Sequence, residues 1–174
     1  ALDYIHRQLA AAEQIGDKRR IANACNNLAF IYNATGEFER ALAIQQQNLQ
    51  LAVEIGYARI ECISNLNLAS IYLNTGNTEQ AGAYALAGLR HSRQAGFEVF
   101  ALFAELLVGN VSLQQNDPLQ AIRHLEQALA TSRTMESRVT ESQILVEIGK
   151  TYQAMRCFDQ ARGSLHEAVA VAES

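Results

Sequence analysis

The stretch Cys25-Asn26-Asn27-Leu28-Ala29-Phe30-Ile31-Tyr32-Asn33-Ala34-Thr35-Gly36-Glu37-Phe38-Glu39-Arg40-Ala41 holds two helical patterns joined by a break. Before the break, Ile21, Cys25, Leu28, Ile31 and Tyr32 fall at spacings of one, three and four, so one face of a helix is apolar. After it, Ala41, Leu42, Leu49 and Ala52 continue the same spacing. The break itself, Ala34-Thr35-Gly36-Glu37, is short and holds a glycine suited to the left-handed turn that ends a helix. The pattern predicts helix A over 18–34, a tight turn, and helix B over 37–55.

Reading outward, the same unit recurs. Gly16, Gly56 and Gly96 stand 40 residues apart, and so do Gly36, Gly76 and Asn116. Rows of 40 align without gaps. One column reads Ala1, Ala41, Ala81, Ala121, Ala161, and another Leu9, Leu49, Leu89, Leu129, Val169. A third reads Leu28, Leu68, Val108, Ile148; beside it run Ala29, Ala69, Gly109, Gly149 and then Tyr32, Tyr72, Ser112, Tyr152. A fixed period in this range marks stacked supersecondary units, each unable to bury its apolar face alone. Asp117-Pro118 fits a helix start, with Asp at the cap and Pro at the first helical position.

Composition agrees. The 174 residues are 49% hydrophobic and 18% charged, with one proline and no tryptophan. That excludes a disordered tail and favours helices. Fourteen basic against 18 acidic residues give a net charge of −4, without the basic stripe of a nucleic-acid binder. No apolar run reaches the roughly 18–20 residues of a membrane span. Cys25, Cys62 and Cys157 are an odd count without CxxC spacing, which fits a reducing cytoplasm better than a disulfide framework.

The pattern Cys25-x-x-Leu28-Ala29-x-x-Tyr32, then Gly36 and Ala41, resembles a tetratricopeptide repeat, as does Leu145-x-x-Ile148-Gly149-x-x-Tyr152 with Ala161, Leu165 and Ala168. The period of 40 exceeds the usual 34 residues. It is similar to the long-repeat subset found in Pins-type adaptors, kinesin light chains and bacterial signalling or transcription regulators. The resemblance implies an all-α fold, a right-handed superhelical solenoid of antiparallel helix pairs. It implies four repeats, over 17–56, 57–96, 97–136 and 137–174. Residues 1–16 form the second helix of a truncated repeat. The expected whole is one solenoid, cut from a longer protein.

Catalysis finds no support. The sequence has no G-x-S-x-G, P-loop or GxGxxG motif. His6, His91, His124 and His166 fall at different columns without a second ligand at metal spacing, and read as solvated histidines. Cys25 and Cys62 read as buried small hydrophobes. No enzyme, metal or cofactor is expected.

In such an array helix A lines the concave face, and its inward positions become the candidate partner-binding set. They are Asn23, Asn27 and Phe30; Asn67, Ser70 and Asn74; Phe100, Phe103, Leu107 and Asn110; Glu147 and Lys150. An asparagine both donates and accepts, so it reads a peptide backbone irrespective of side chains. Helices about 8–10 Å apart and an extended chain rising roughly 3.3 Å per residue would match one asparagine to about every third peptide residue. Asn27 and Asn67 share a column and lead the set. Phe100, Phe103 and Leu107, at i, i+3 and i+7, make an apolar stripe for a partner or a second copy. The expected function is a non-catalytic protein-interaction module. It would bind a peptide or partner helix in the regulatory segment of a bacterial signalling or transcription-regulatory protein. Homodimerisation through the third repeat or the terminal helix, and a small-ligand sensor attached to an effector enzyme, are the alternatives.

Overall fold

The computed structural model describes residues 2–173; Ala1, at the head of the alanine column, and Ser174, the end of the last repeat, lie outside them. Among the described residues there are nine α-helices and no strand. They are α1 (Leu2–Gln14), α2 (Lys18–Ala34), α3 (Phe38–Glu54), α4 (Ala58–Asn74), α5 (Thr78–Gln94), α6 (Glu98–Gln114), α7 (Pro118–Thr134), α8 (Arg138–Ala154) and α9 (Phe158–Glu173). The fold is an all-α helical repeat. Seven of the helices, α2 to α8, are 17 residues long. With three-residue turns this makes 20 residues per helix, which is why the pair repeats at 40.

Each turn closes in one way. The amide of Glu37 donates to the Tyr32 carbonyl at 2.8 Å, and Asp117 to Ser112 and Cys157 to Tyr152 repeat the bond at 2.8 and 2.9 Å. This six-to-one bond needs a left-handed residue one position earlier. Gly36 takes it at φ 81°. In the later turns Asn116, Glu136 and Arg156 take it at φ 62°, 53° and 60°. Asn116 is where the sequence predicts it; Glu136 and Arg156 adopt the conformation without glycine. At the helix starts, Asp17, Asn77 and Asp117 accept from the amides of Arg20, Gln80 and Gln120 at 3.0–3.2 Å.

The chain divides into two compact units, one running to Phe100 and the other starting at Ala101. In the first, the core among the described residues includes two apolar clusters. Leu28, Tyr32, Ala41 and Ile71 make one, and Ala22, Ala52 and Ile60 the other. In the second, a single cluster runs through Leu102, Ile122, Leu125, Leu129, Ile144 and Ile148. The small column does what its residue type allows. A Cβ added to Gly109 would stand 3.3 Å from Leu125 Cγ and 3.5 Å from the Ala121 carbonyl. Only a small residue there lets the paired helices approach this closely.

Candidate functional site

In the first unit, α2 and α4 lie side by side, joined by a ladder of amides. Asn67 Nδ2 donates to Asn26 Oδ1 at 2.8 Å, and Asn74 Nδ2 donates to Asn33 Oδ1 at 3.1 Å. Asn33 Nδ2 reaches Ser70 Oγ at 3.5 Å. The sequence sets Asn67 in one column with Asn27; in the structure the side-chain partner of Asn67 is Asn26. The offset is 41, not 40, for a geometric reason. Two helices related by translation touch through opposite flanks, so the facing positions are neighbours in the alignment rather than one column. Asn26 and Asn33 therefore join the candidate residues, because a column of equivalent positions does not show which flanks meet.

Asn23 and Asn27 lie on the other flank of α2 and are exposed. They line a cavity of about 540 Å³ between α1 and α2, with Gln8, Ala11, Ile15 and Arg20. The alignment explains the cavity. Forty residues on, Ala11, Arg20 and Asn23 become Leu51, Ile60 and Ile63, which fill the space around Ala22 and Ala52. Alanines and polar side chains at the earlier positions leave that space open and line it with carboxamides and one guanidinium. Arg20 is held at the entrance by Asp17, Nε to Oδ2 at 3.2 Å. Phe30 projects beside this flank with 63% of its surface exposed. Phe100, by contrast, is half-buried within the first unit. It packs edge-on to Phe97 at 5.6 Å and under the Arg59 guanidinium at 5.8 Å.

In the second unit, α6 leaves Phe103 exposed and Leu107 and Asn110 half-buried. On α8, Glu147 and Lys150 form an ion pair at 2.8 Å one turn apart. The histidines differ from the sequence expectation. His124 Nδ1 meets the carboxylate of buried Glu105 at 2.6 Å, His91 Nδ1 meets Glu61 at 2.9 Å, and His6 lies 3.4 Å from the Tyr32 hydroxyl. His124 and His91 thus face carboxylates of other helices, whereas His6 remains exposed. The sequence missed this because each partner sits on a different helix. Burial raises the Cys62 thiol pKa, and burial followed by the nearby Glu13 charge raises that of Cys25. Neither is set up as a nucleophile. Among the described residues no three His, Cys, Asp or Glu side chains converge, and no helix is long and apolar enough to cross a membrane.

Two stretches, residues 21–55 and 64–90, match family models described as Tetratricopeptide repeat. No curated protein matches the chain. Among solved structures it is similar to BtubC (BKLC) from P. vanneervenii, with 20% identity and a TM-score of 0.82, over 90% of this chain and 65% of that one. It is also similar to a Signal Transduction ATPase with Numerous Domains (STAND) protein with a tetratricopeptide repeat sensor from Pyrococcus horikoshii. There the identity is 18% and the TM-score 0.82, over 94% of this chain and 25% of that one. Apo RapI matches at 13% identity and TM-score 0.85, over 99% of this chain and 48% of that one. The chain thus spans less than two thirds of each. At these identities the likeness concerns the fold alone.

Proposed function

From the tetratricopeptide repeat matches over residues 21–55 and 64–90 and the helical-repeat fold, we propose that this chain is a non-catalytic protein-interaction module whose partner lies along α2 and α4. The observation that carries this reading is the amide surface of the first unit. Asn23 and Asn27 are exposed at a 540 Å³ cavity on the α1 flank of α2, and the Asn26–Asn67 and Asn33–Asn74 pairs line the α4 flank of that helix. Carboxamides at this density suit a peptide backbone, which presents donors and acceptors alternately. The alanine floor of the cavity takes a small aliphatic side chain, and exposed Phe30 on α2 offers a separate apolar contact. In the second unit, Phe103 and Leu107 serve an apolar stretch of a partner. A regulatory role, as the sensing part of a longer signalling protein, fits a binding surface without catalytic groups.

A peptide library probed with the protein tests the reading. Asn23→Ala with Asn27→Ala should weaken the selected peptides by about tenfold, two hydrogen bonds at about 0.5–1.5 kcal/mol each, with unchanged helicity. Selected peptides that bind the double variant as well as the parent would refute it.

A second reading, self-association, rests on α9. Leu165 and Val169 are exposed, whereas their counterparts two helices earlier, Leu125 and Leu129, are buried in the core. Light scattering across concentrations, with Val169→Glu as the control, distinguishes a dimer from a monomer.

A further inference from the structure

The core of the first unit is interrupted at mid-height by polar side chains. On α3, Gln45 and Asn48 are no more than 1% exposed, and on α4 Ser64 is fully buried. Among the described residues, both amide atoms of Gln45, both of Asn48 and the Ser64 hydroxyl find no hydrogen-bond partner. Their position along the helices is consistent. On α3 they fall between Ala41 and Ala52, and on α4 Ser64 falls between Ile60 and Ile71, so they separate the two apolar clusters. Asn26 and Asn67, joined at 2.8 Å, occupy the same level at the edge of α2 and α4.

The second unit provides the comparison. Eighty residues on, Gln45, Asn48 and Ser64 become Leu125, Ala128 and Ile144, all buried in one continuous cluster. The same positions are thus apolar and sealed at the α7–α8 junction, and polar and unsatisfied at α3–α4. A buried polar atom without a partner loses its hydration for nothing, and it regains that hydration when the helices part. Opening at α3–α4 is therefore favoured in a way that opening at α7–α8 is not.

We propose that the layer of Gln45, Asn48 and Ser64 is a built-in opening point, at which α3 and α4 separate without unfolding the rest of the chain. Local opening of this kind is a property of the less stable parts of a fold. The Asn26–Asn67 bond spans the groove-side edge of the layer, so opening changes the spacing of α2 and α4. The inference does not depend on which partner binds there.

Amide hydrogen exchange followed by mass spectrometry on the intact chain tests it. Residues 60–71 of α4 should exchange at least about tenfold faster than residues 140–151 of α8. The triple substitution Gln45→Leu, Asn48→Ala and Ser64→Ile transplants the sealed junction. It should slow exchange in α4 by about tenfold, leave α8 unchanged and raise Tm. Asn48→Ala alone should move in the same direction, which covers the case of a triple variant that fails to fold. Equal or slower exchange in α4 than in α8 of the parent chain, or unslowed exchange in the variants with a lowered Tm, would overturn the proposal.

Discussion

At Glu136 and Arg156 the chain turns through left-handed backbone with side chains that do not favour it, at φ 53° and 60°. Left-handed conformations cost an L-residue roughly 1–2 kcal/mol, part of which glycine returns as lost entropy of the unfolded chain. Glu136→Gly should therefore raise stability by about 0.5–1 kcal/mol, read by urea denaturation. A destabilised variant would mean that the Glu136 side chain is engaged in the turn. Thiol titration gives a second prediction. Unfolded cysteines ionise near 9.0, and burial raises Cys25 and Cys62 above this in the folded chain. Above about pH 9 the unfolded state loses its protons first, so stability should fall as pH rises through that range. Chemical denaturation of Cys25→Ala with Cys62→Ala, compared with the parent, should show that part of the decline removed. An identical decline in both would contradict it.

Within elements, the strongest polar dependence lies between α6 and α7. Glu105 is 3% exposed and meets His124 Nδ1 at 2.6 Å. His124→Ala removes one partner of a buried carboxylate and should destabilise the second unit by about 2–3 kcal/mol. Glu105→Leu, which removes the buried charge as well, should cost less. The reverse order would show that Glu105 is held by its other contacts. The elements themselves were legible in the sequence. The glycine spacing and the i, i+3, i+4 pattern placed α2 at 18–34, where it stands, and α3 within one residue of its start and end. Side-chain pairing was not. The Asn26–Asn67 bond and the His124–Glu105 pair join different helices, and a column of equivalent positions says which residues repeat, not which flanks meet. The cavity at Asn23 and Asn27 was half legible. Its polar lining stood in the sequence, but its volume arises only because Ala11 and Asn23 replace Leu51 and Ile63.

For the molecule as a whole, stability in a repeat array is a sum of repeats and their interfaces. Each unit buries its own core, and they differ at one level: Leu125, Ala128 and Ile144 of the second unit stand where the first has Gln45, Asn48 and Ser64. If α9 mediates self-association, size should rise with concentration and Val169→Glu should abolish that rise. A constant monomer mass leaves α2 and α4 as the principal binding surface. The side-chain amides of that surface report directly on its occupancy. The measurement is a titration of a library-selected peptide into isotopically labelled protein, following asparagine NH₂ signals by nuclear magnetic resonance. The Asn23, Asn27 and Asn67 signals should shift and saturate together. Saturable binding that leaves all three unmoved, with the changes confined to α9, would contradict it.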